Sequence, residues 1–175
     1  MAHLVIADAG PLIGLARIQR LQLLKELFVA VTITTAVAQE LGCGMESGSE
    51  NLPAGAAELS EAITQGWLAI NGTADGEPYQ PLNPGVDAGE ASAIALALRK
   101  QAEGDEVLLL IDDRCGRAEA RHRGLNLIGT AAVIVLAREQ GLIGACAPLL
   151  HALRKQGYSL SDGLIQAVLR QVSEA

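Results

Sequence analysis

Apolar and polar positions alternate along the chain in two rhythms. Leu4 to Ala7, Phe28 to Ile33 and Val107 to Ile111 are short runs, apolar on both faces. Such runs suit strands of a parallel sheet covered by helices. Between them, apolar residues recur every three or four positions: Leu12, Ile13, Leu15 and Ala16, then Leu21 to Leu27, Ala56 to Gln65 and Asp87 to Leu98. The same spacing returns in Ala131 to Gln140, Ala147 to Lys155 and Ser161 to Val172, and each stretch predicts a helix. Trp67 to Ile70 reads as an edge strand. Thr34 and Thr35 are N-cap candidates for a helix carrying Ala36, Val37 and Glu40. Gly42, Gly44, Gly48 and Pro53 mark one polar loop, and Gly72 to Gly85, with Pro78, Pro81 and Pro84, a second. This alternation predicts an α/β fold: a mainly parallel central sheet with helices on both faces.

The most informative run is Val107 to Ile111, because it stops on two adjacent carboxylates, Asp112 and Asp113. In open α/β sheets, ligands bind beyond the carboxyl ends of the strands, which is where this pair falls. A helix from Arg114 to Arg123 follows, ended by Gly124. Asn126 to Ile128 then reads as a short strand, and Thr130 as the N-cap of the next helix.

Composition narrows the class. The 175 residues fit one domain and are half hydrophobic, yet include only one Phe, two Tyr and one Trp. The core must therefore be Leu, Ile, Val and Ala. Cys43, Cys115 and Cys146 are widely spaced and odd in number, which points to a reducing cytoplasm and no structural zinc. No secretory signal is legible at the start. The longest apolar stretch, Leu125 to Ala137, is shorter than the ~20 residues of a membrane span. A net charge of −7 does not favour nucleic acid through overall charge. It leaves room for a local basic face: Arg114, Arg117 and Arg121 recur at i, i+3 and i+7, joined by His122 and Arg123. The plainer alternative is a solvated helix face partly balanced by Glu119.

Four places put a carboxylate where a solvated surface charge is a poor explanation. Asp8 follows a buried strand, Glu40 shares a helix face with Ala36 and Val37, and Glu90 leads the stripe Ile94, Ala97 and Leu98. The fourth place is the Asp112–Asp113 pair. Each has a local alternative: Asp8 capping a helix at Pro11, Glu40 at a helix end, Asp87 and Glu90 as a capping box, one of the two Asp capping at Arg114. Gathered in one pocket, carboxylates 4 Å apart repel by ~4 kcal/mol per pair at an effective dielectric of 20. Shared protons or a bound cation must offset that, and all-oxygen donors suit Mg²⁺ or Mn²⁺.

Taken together, Val5 to Ile13, Glu40, Asp87 to Ala95, Leu109 to Arg114 and Leu127 to Thr130 resemble the PIN domain. Gly141 to Tyr158 resembles a prokaryotic PIN-like branch regarded as toxin components of toxin–antitoxin pairs. The resemblance implies a three-layer PIN-like domain over residues 1–141 and a C-terminal helical extension, 142–175, packed on it. It also implies metal-dependent hydrolysis of RNA, with Asp8, Glu90 and Asp112 or Asp113 holding Mg²⁺ or Mn²⁺. Glu40 would be the second acid, and Thr130 the small hydroxyl residue closing the pocket. RNA would lie along Arg114, Arg117 and Arg121, and the partner would be a small antitoxin. Many relatives carry Thr or Ser where this chain has Ala9 and Gly10, which motivates the alternative of an inactive module binding nucleic acid or protein. A phosphoacceptor domain fits less well, since its acid pair comes early and a Lys ends a late strand, where this chain has Gly129 and Thr130. Leu149, Leu150, Leu153, Leu160, Leu164, Ile165, Val168 and Leu169 are helix-spaced without an acid cluster. They are expected to serve packing, over the sheet or in a homodimer seam.

Overall fold

The computed structural model describes residues 4–43, 55–72 and 79–174. His3, Gly44, Gly48, Pro53 and Pro78 lie outside the described residues. Among the described residues the order is β1 (Leu4–Ala7), α1 (Ala9–Arg17), α2 (Gln22–Phe28), β2 (Val31–Thr34), α3 (Thr35–Glu40), α4 (Ala56–Thr64), β3 (Leu68–Asn71) and α5 (Ala88–Ala102). Then come β4 (Val107–Leu110), α6 (Arg114–His122), β5 (Leu127–Ile128), α7 (Thr130–Glu139), α8 (Ala147–Lys155) and α9 (Asp162–Gln171). All strand pairs are parallel, in the order β3-β2-β1-β4-β5. This is the expected α/β sheet, with the Trp67 to Ile70 region supplying an edge strand.

Alternation along the strands divides the core. Val5, Ala7, Val31, Ile33 and Leu110 face a layer with Leu12, Leu15, Leu24, Leu59 and Val133 from α1, α2, α4 and α7. Ile6, Val107, Leu109 and Ile111 face Ala93, Ile94, Ala97 and Ala120 from α5 and α6. A third cluster joins Ala131, Ile134 and Val135 of α7 to Leu150, Leu153, Ile165, Val168 and Leu169 of α8 and α9. The C-terminal apolar stripe is thus buried within the chain, with Leu164 left 42% exposed. Among the described residues no helix is long and apolar enough to cross a membrane.

Three local expectations change. Phe28 does not open a strand; it closes α2, and β2 starts at Val31. The break is Val29, at φ 68° and ψ −48°, with the Ala30 N–H donating to the Phe28 carbonyl at 2.7 Å. That is the strained form of the γ-turn, and it re-aims the chain from helix into strand. Thr130 is not the N-cap of α7 but its first residue; Gly129 takes the cap position in extended backbone. Glu119 is not a surface counter-charge. It is 3% exposed, and it accepts from the Tyr79 hydroxyl (2.5 Å) and the Leu82 and Asn83 amides (3.1 Å each). Those donors, the Tyr79 hydroxyl first, hold its carboxyl down at about 2 against the opposing effect of burial. Glu119 therefore pins the segment leading to α5 onto α6.

A β-branched residue at positive φ is costly, of order 1–3 kcal/mol, and glycine gives back ~0.5–1 kcal/mol of any relief through the unfolded chain. Val29 is 77% exposed, so truncation loses little burial. Val29→Gly is expected to stabilise the protein by about 1 kcal/mol. Urea unfolding should show a higher midpoint with an unchanged slope, and a lower midpoint would contradict strain at Val29.

Candidate functional site

Parallel strands end on one edge, and helices running back between them begin there. β1 and β4 are in flush register from Leu4 opposite Val107 to Ala7 opposite Leu110. The Asp8 N–H donates to the Leu110 carbonyl at 2.9 Å. Asp8 therefore leaves the sheet beside Ile111 and Asp112. Leu110 pairs with Ile128 of β5, which brings Gly129 and Thr130 to the same edge. On the other side Thr34 ends β2, caps α3 through the Val37 N–H (3.1 Å) and shares a hydrogen bond with Ser92 of α5 (2.6 Å). That link sets α3, carrying Glu40, against the first turns of α5, carrying Glu90.

Gly89 shows how close the acids come. A Cβ placed on it would stand 2.6 Å from Glu40 Oε2, 3.4 Å from Asp87 Oδ1 and 3.8 Å from Asp8 Oδ1. Three carboxylates thus come within 4 Å of one point on the backbone side of the pocket, and a side chain at 89 would displace Glu40. Asp87 and Glu90 do form the capping box, Asp87 Oδ1 accepting the Glu90 N–H at 2.8 Å and Glu90 Oε2 the Asp87 N–H at 3.1 Å. The Glu90 carboxyl is nevertheless 3% exposed, and its Oε2 lies 3.3 Å from where a Cβ would stand on Gly116 in the first turn of α6. Cap and pocket acid are the same side chain. Asp113 is the N-cap of α6, its Oδ1 accepting the Cys115 and Gly116 amides at 2.7 and 3.1 Å.

Asp112 is held from three directions. Its Oδ1 accepts the Thr130 N–H at 2.9 Å and its Oδ2 the Thr130 hydroxyl at 2.5 Å. The third donor is the Tyr158 hydroxyl, also onto Oδ2. The C-terminal segment expected only to pack therefore reaches the acid edge. Nothing local marked Tyr158, which is 46 positions from Asp112. Asp87 was read only as a cap, although its place at the start of α5 already put it on the active edge.

The basic face divides. Arg114 and Arg121 are exposed. Arg117 turns inward, donating to the Ile111 carbonyl at 2.8 Å. Arg123 contacts Glu119 at 3.3 Å and lies over the Tyr79 ring, 5.4 Å from its centroid.

Burial, with smaller contributions from Glu40 and Asp87, pushes the Asp8 carboxyl up to about 6, although the Ala9 and Gly10 amides pull it down. Burial likewise pushes Glu90 up to about 7, with the charges of Asp87, Asp113 and Asp8 adding to it against the Asp87 amide. Glu40, exposed at the mouth, is raised by partial burial and then by Asp87. Among the described residues no ion pair reaches these acids. No three His, Cys, Asp or Glu side chains among them stand close enough to enclose an ion. An all-carboxylate set is the donor chemistry of Mg²⁺ or Mn²⁺, and Mg²⁺ is commonly held by one or two carboxylates while keeping its waters. An open acidic pocket in which, among the described residues, no ion pair reaches Asp8 or Glu90 fits that mode, while the Arg117 guanidinium stands beside Asp112.

A family model described as PIN domain matches residues 4–174. No curated protein matches the chain. Among solved structures it is similar to a PilT N-terminus domain protein from the hyperthermophilic archaeon Sulfolobus solfataricus P2, with 15% identity. That likeness covers 74% of this chain and 89% of the other, at a TM-score of 0.47.

A carboxyl whose folded pKa is raised binds its proton more tightly in the folded state. Its protonated form favours folding at low pH, and that advantage is lost as pH rises through the folded value. For Asp8 and Glu90 the window runs from about 4 to about 6 and about 7. Metal-free protein is expected to melt at a lower temperature at pH ~8 than at pH ~5.5, and Glu90→Gln should flatten that slope. A metal-free melting temperature that rises across this range would rule out buried, unbalanced acids.

Proposed function

The chain belongs to the PIN-domain family, and on that premise we propose that it is a divalent-metal-dependent ribonuclease cleaving phosphodiester bonds in RNA. One observation carries the reading: Asp8 and Glu90 are buried at a sheet edge and, among the described residues, form no ion pair, with Glu40, Asp87 and Asp113 nearby. Such a site has little affinity for phosphate by itself. Mg²⁺ or Mn²⁺, when bound, would supply the match, lowering the pKa of a coordinated water and offsetting charge on the phosphate.

Within this reading Asp8, Glu90 and Asp113 are the ligands, direct or through water. Asp113 uses one oxygen for its two amides, whereas both oxygens of Asp112 accept from protein donors. Asp112 with Thr130 then fixes the loop that follows β4. Glu40, at the mouth, orients water or a second ion. Arg114 and Arg121 are the exposed cations on the helix leaving the acids and would guide the RNA backbone. Arg117, bonded to the Ile111 carbonyl, stiffens the Asp112 loop. The finer reading is a toxin held in check by a small antitoxin, supported by the resemblance of the Gly141 to Tyr158 segment to that branch. Growth arrest on expression, relieved by Glu90→Gln, is its test.

Binding to the native state alone stabilises by ~2.7 kcal/mol at a hundredfold excess over Kd. Melting temperature is therefore expected to rise with Mn²⁺, and single-stranded RNA to be cleaved in the same buffer. Glu90→Gln should raise the metal-free melting temperature, because it removes repulsion, while abolishing both the Mn²⁺ shift and cleavage. A parent protein that binds RNA but neither shifts with Mn²⁺ nor cleaves would favour the non-catalytic module instead.

A further inference from the structure

Tyr158 sits in the turn after α8, just past Gly157 at φ 84°. Its ring lies on α1 at Gly14, where a Cβ would stand 2.6 Å from Cε2 and 3.0 Å from Cδ2. Glycine inside a helix is unfavourable, and here it leaves the space the ring fills. The hydroxyl end reaches between the two walls of the pocket. A Cβ on Gly10 would be 3.9 Å from both the Tyr158 oxygen and Asp8 Oδ2, and the hydroxyl itself donates to Asp112 Oδ2. Thr130 Oγ1 is 3.3 Å from the same phenol oxygen. A neutral donor thus engages Asp112 near Asp8 and adds no charge to the acid cluster.

We propose that Tyr158 is a positioning residue of the pocket, its hydroxyl holding the Asp112 carboxylate at the end of β4, so that α8 and its following turn form one wall of the site. This rests on the ribonuclease reading. Without the hydroxyl, Asp112 keeps Thr130 but can swing about that contact, and the loop carrying Asp113 loosens with it. Through that loop Tyr158 acts on Asp113 as an outer partner of the site, and losing such a partner typically costs 10–100-fold in affinity or activity.

Two variants separate this role from packing. Tyr158→Phe keeps the ring on Gly14 and removes the hydroxyl. Gly14→Ala leaves every polar group in place and pushes the ring off α1. Both are expected to lower kcat for RNA cleavage about 10–100-fold with KM nearly unchanged, and to raise the Mn²⁺ concentration giving the half-maximal melting shift. In metal-free protein Tyr158→Phe should lower the melting temperature of the parent but not of Asp112→Ala. Normal kcat and an unchanged Mn²⁺ midpoint in folded Tyr158→Phe would overturn the assignment while leaving the ribonuclease reading intact. An equal loss of melting temperature in the Asp112→Ala background would overturn it too. A parent protein inert with Mn²⁺ overturns the reading on which it rests.

Discussion

Like charge gathered at one edge of the sheet is the constraint around which the rest of the protein is arranged. Asp8 and Glu90 are removed from water with other carboxylates around them. Desolvation and mutual repulsion both act against the ionised forms. The described residues around Asp8 and Glu90 offset this with neutral donors, while the Arg117 guanidinium stands beside Asp112. Backbone amides at the starts of α5 and α6 receive Glu90 and Asp113, and two hydroxyls receive Asp112. Such donors steady the acids without cancelling their charge. Asp8 and Glu90 consequently stay unbalanced, which a lysine or arginine beside them would change.

Small residues make the crowding feasible. Gly89 leaves room for Glu40 beside Asp87 and Asp8, Gly116 for Glu90 against α6, and Gly129 for Asp112, whose Oδ1 would lie 2.6 Å from a Cβ there. Each stands in the first turn or at the cap of a helix that starts on the acidic edge. Backbone amides and carboxylates can meet there only if no side chain intervenes.

Outside the pocket, one buried carboxylate has the opposite environment. Glu119 is also 3% exposed, like Glu90, yet its four donors hold its carboxyl low where Glu90 is raised. The contrast is between a carboxylate met by four donors and one that faces other acids. The first is a structural clamp, joining the segment from Tyr79 to Asn83 to α6. The second is a buried acid whose charged form its surroundings disfavour.

Local patterning determined much of this protein. Strand runs, helix spacing, the flush acids after β1 and β4, and the leading acid of α5 depend on residues a few positions apart, and a parallel α/β sheet then forces their ends onto one edge. Tertiary structure decided which acids meet and what holds them. Glu40 meets Asp87 because α3 packs on α5 through Thr34 and Ser92. Arg117 turns away from the basic face because the Ile111 carbonyl lies within its reach. Glu119 is buried by a segment about 40 residues earlier, and Asp112 is held by a tyrosine 46 residues later. Even an expectation about local structure, a strand beginning at Phe28, failed because α2 continues to Phe28 and a strained turn at Val29 re-aims the chain. Hydrophobic period is written in neighbouring residues. Hydrogen-bond partnership across such distances exists only once packing has closed the intervening loops.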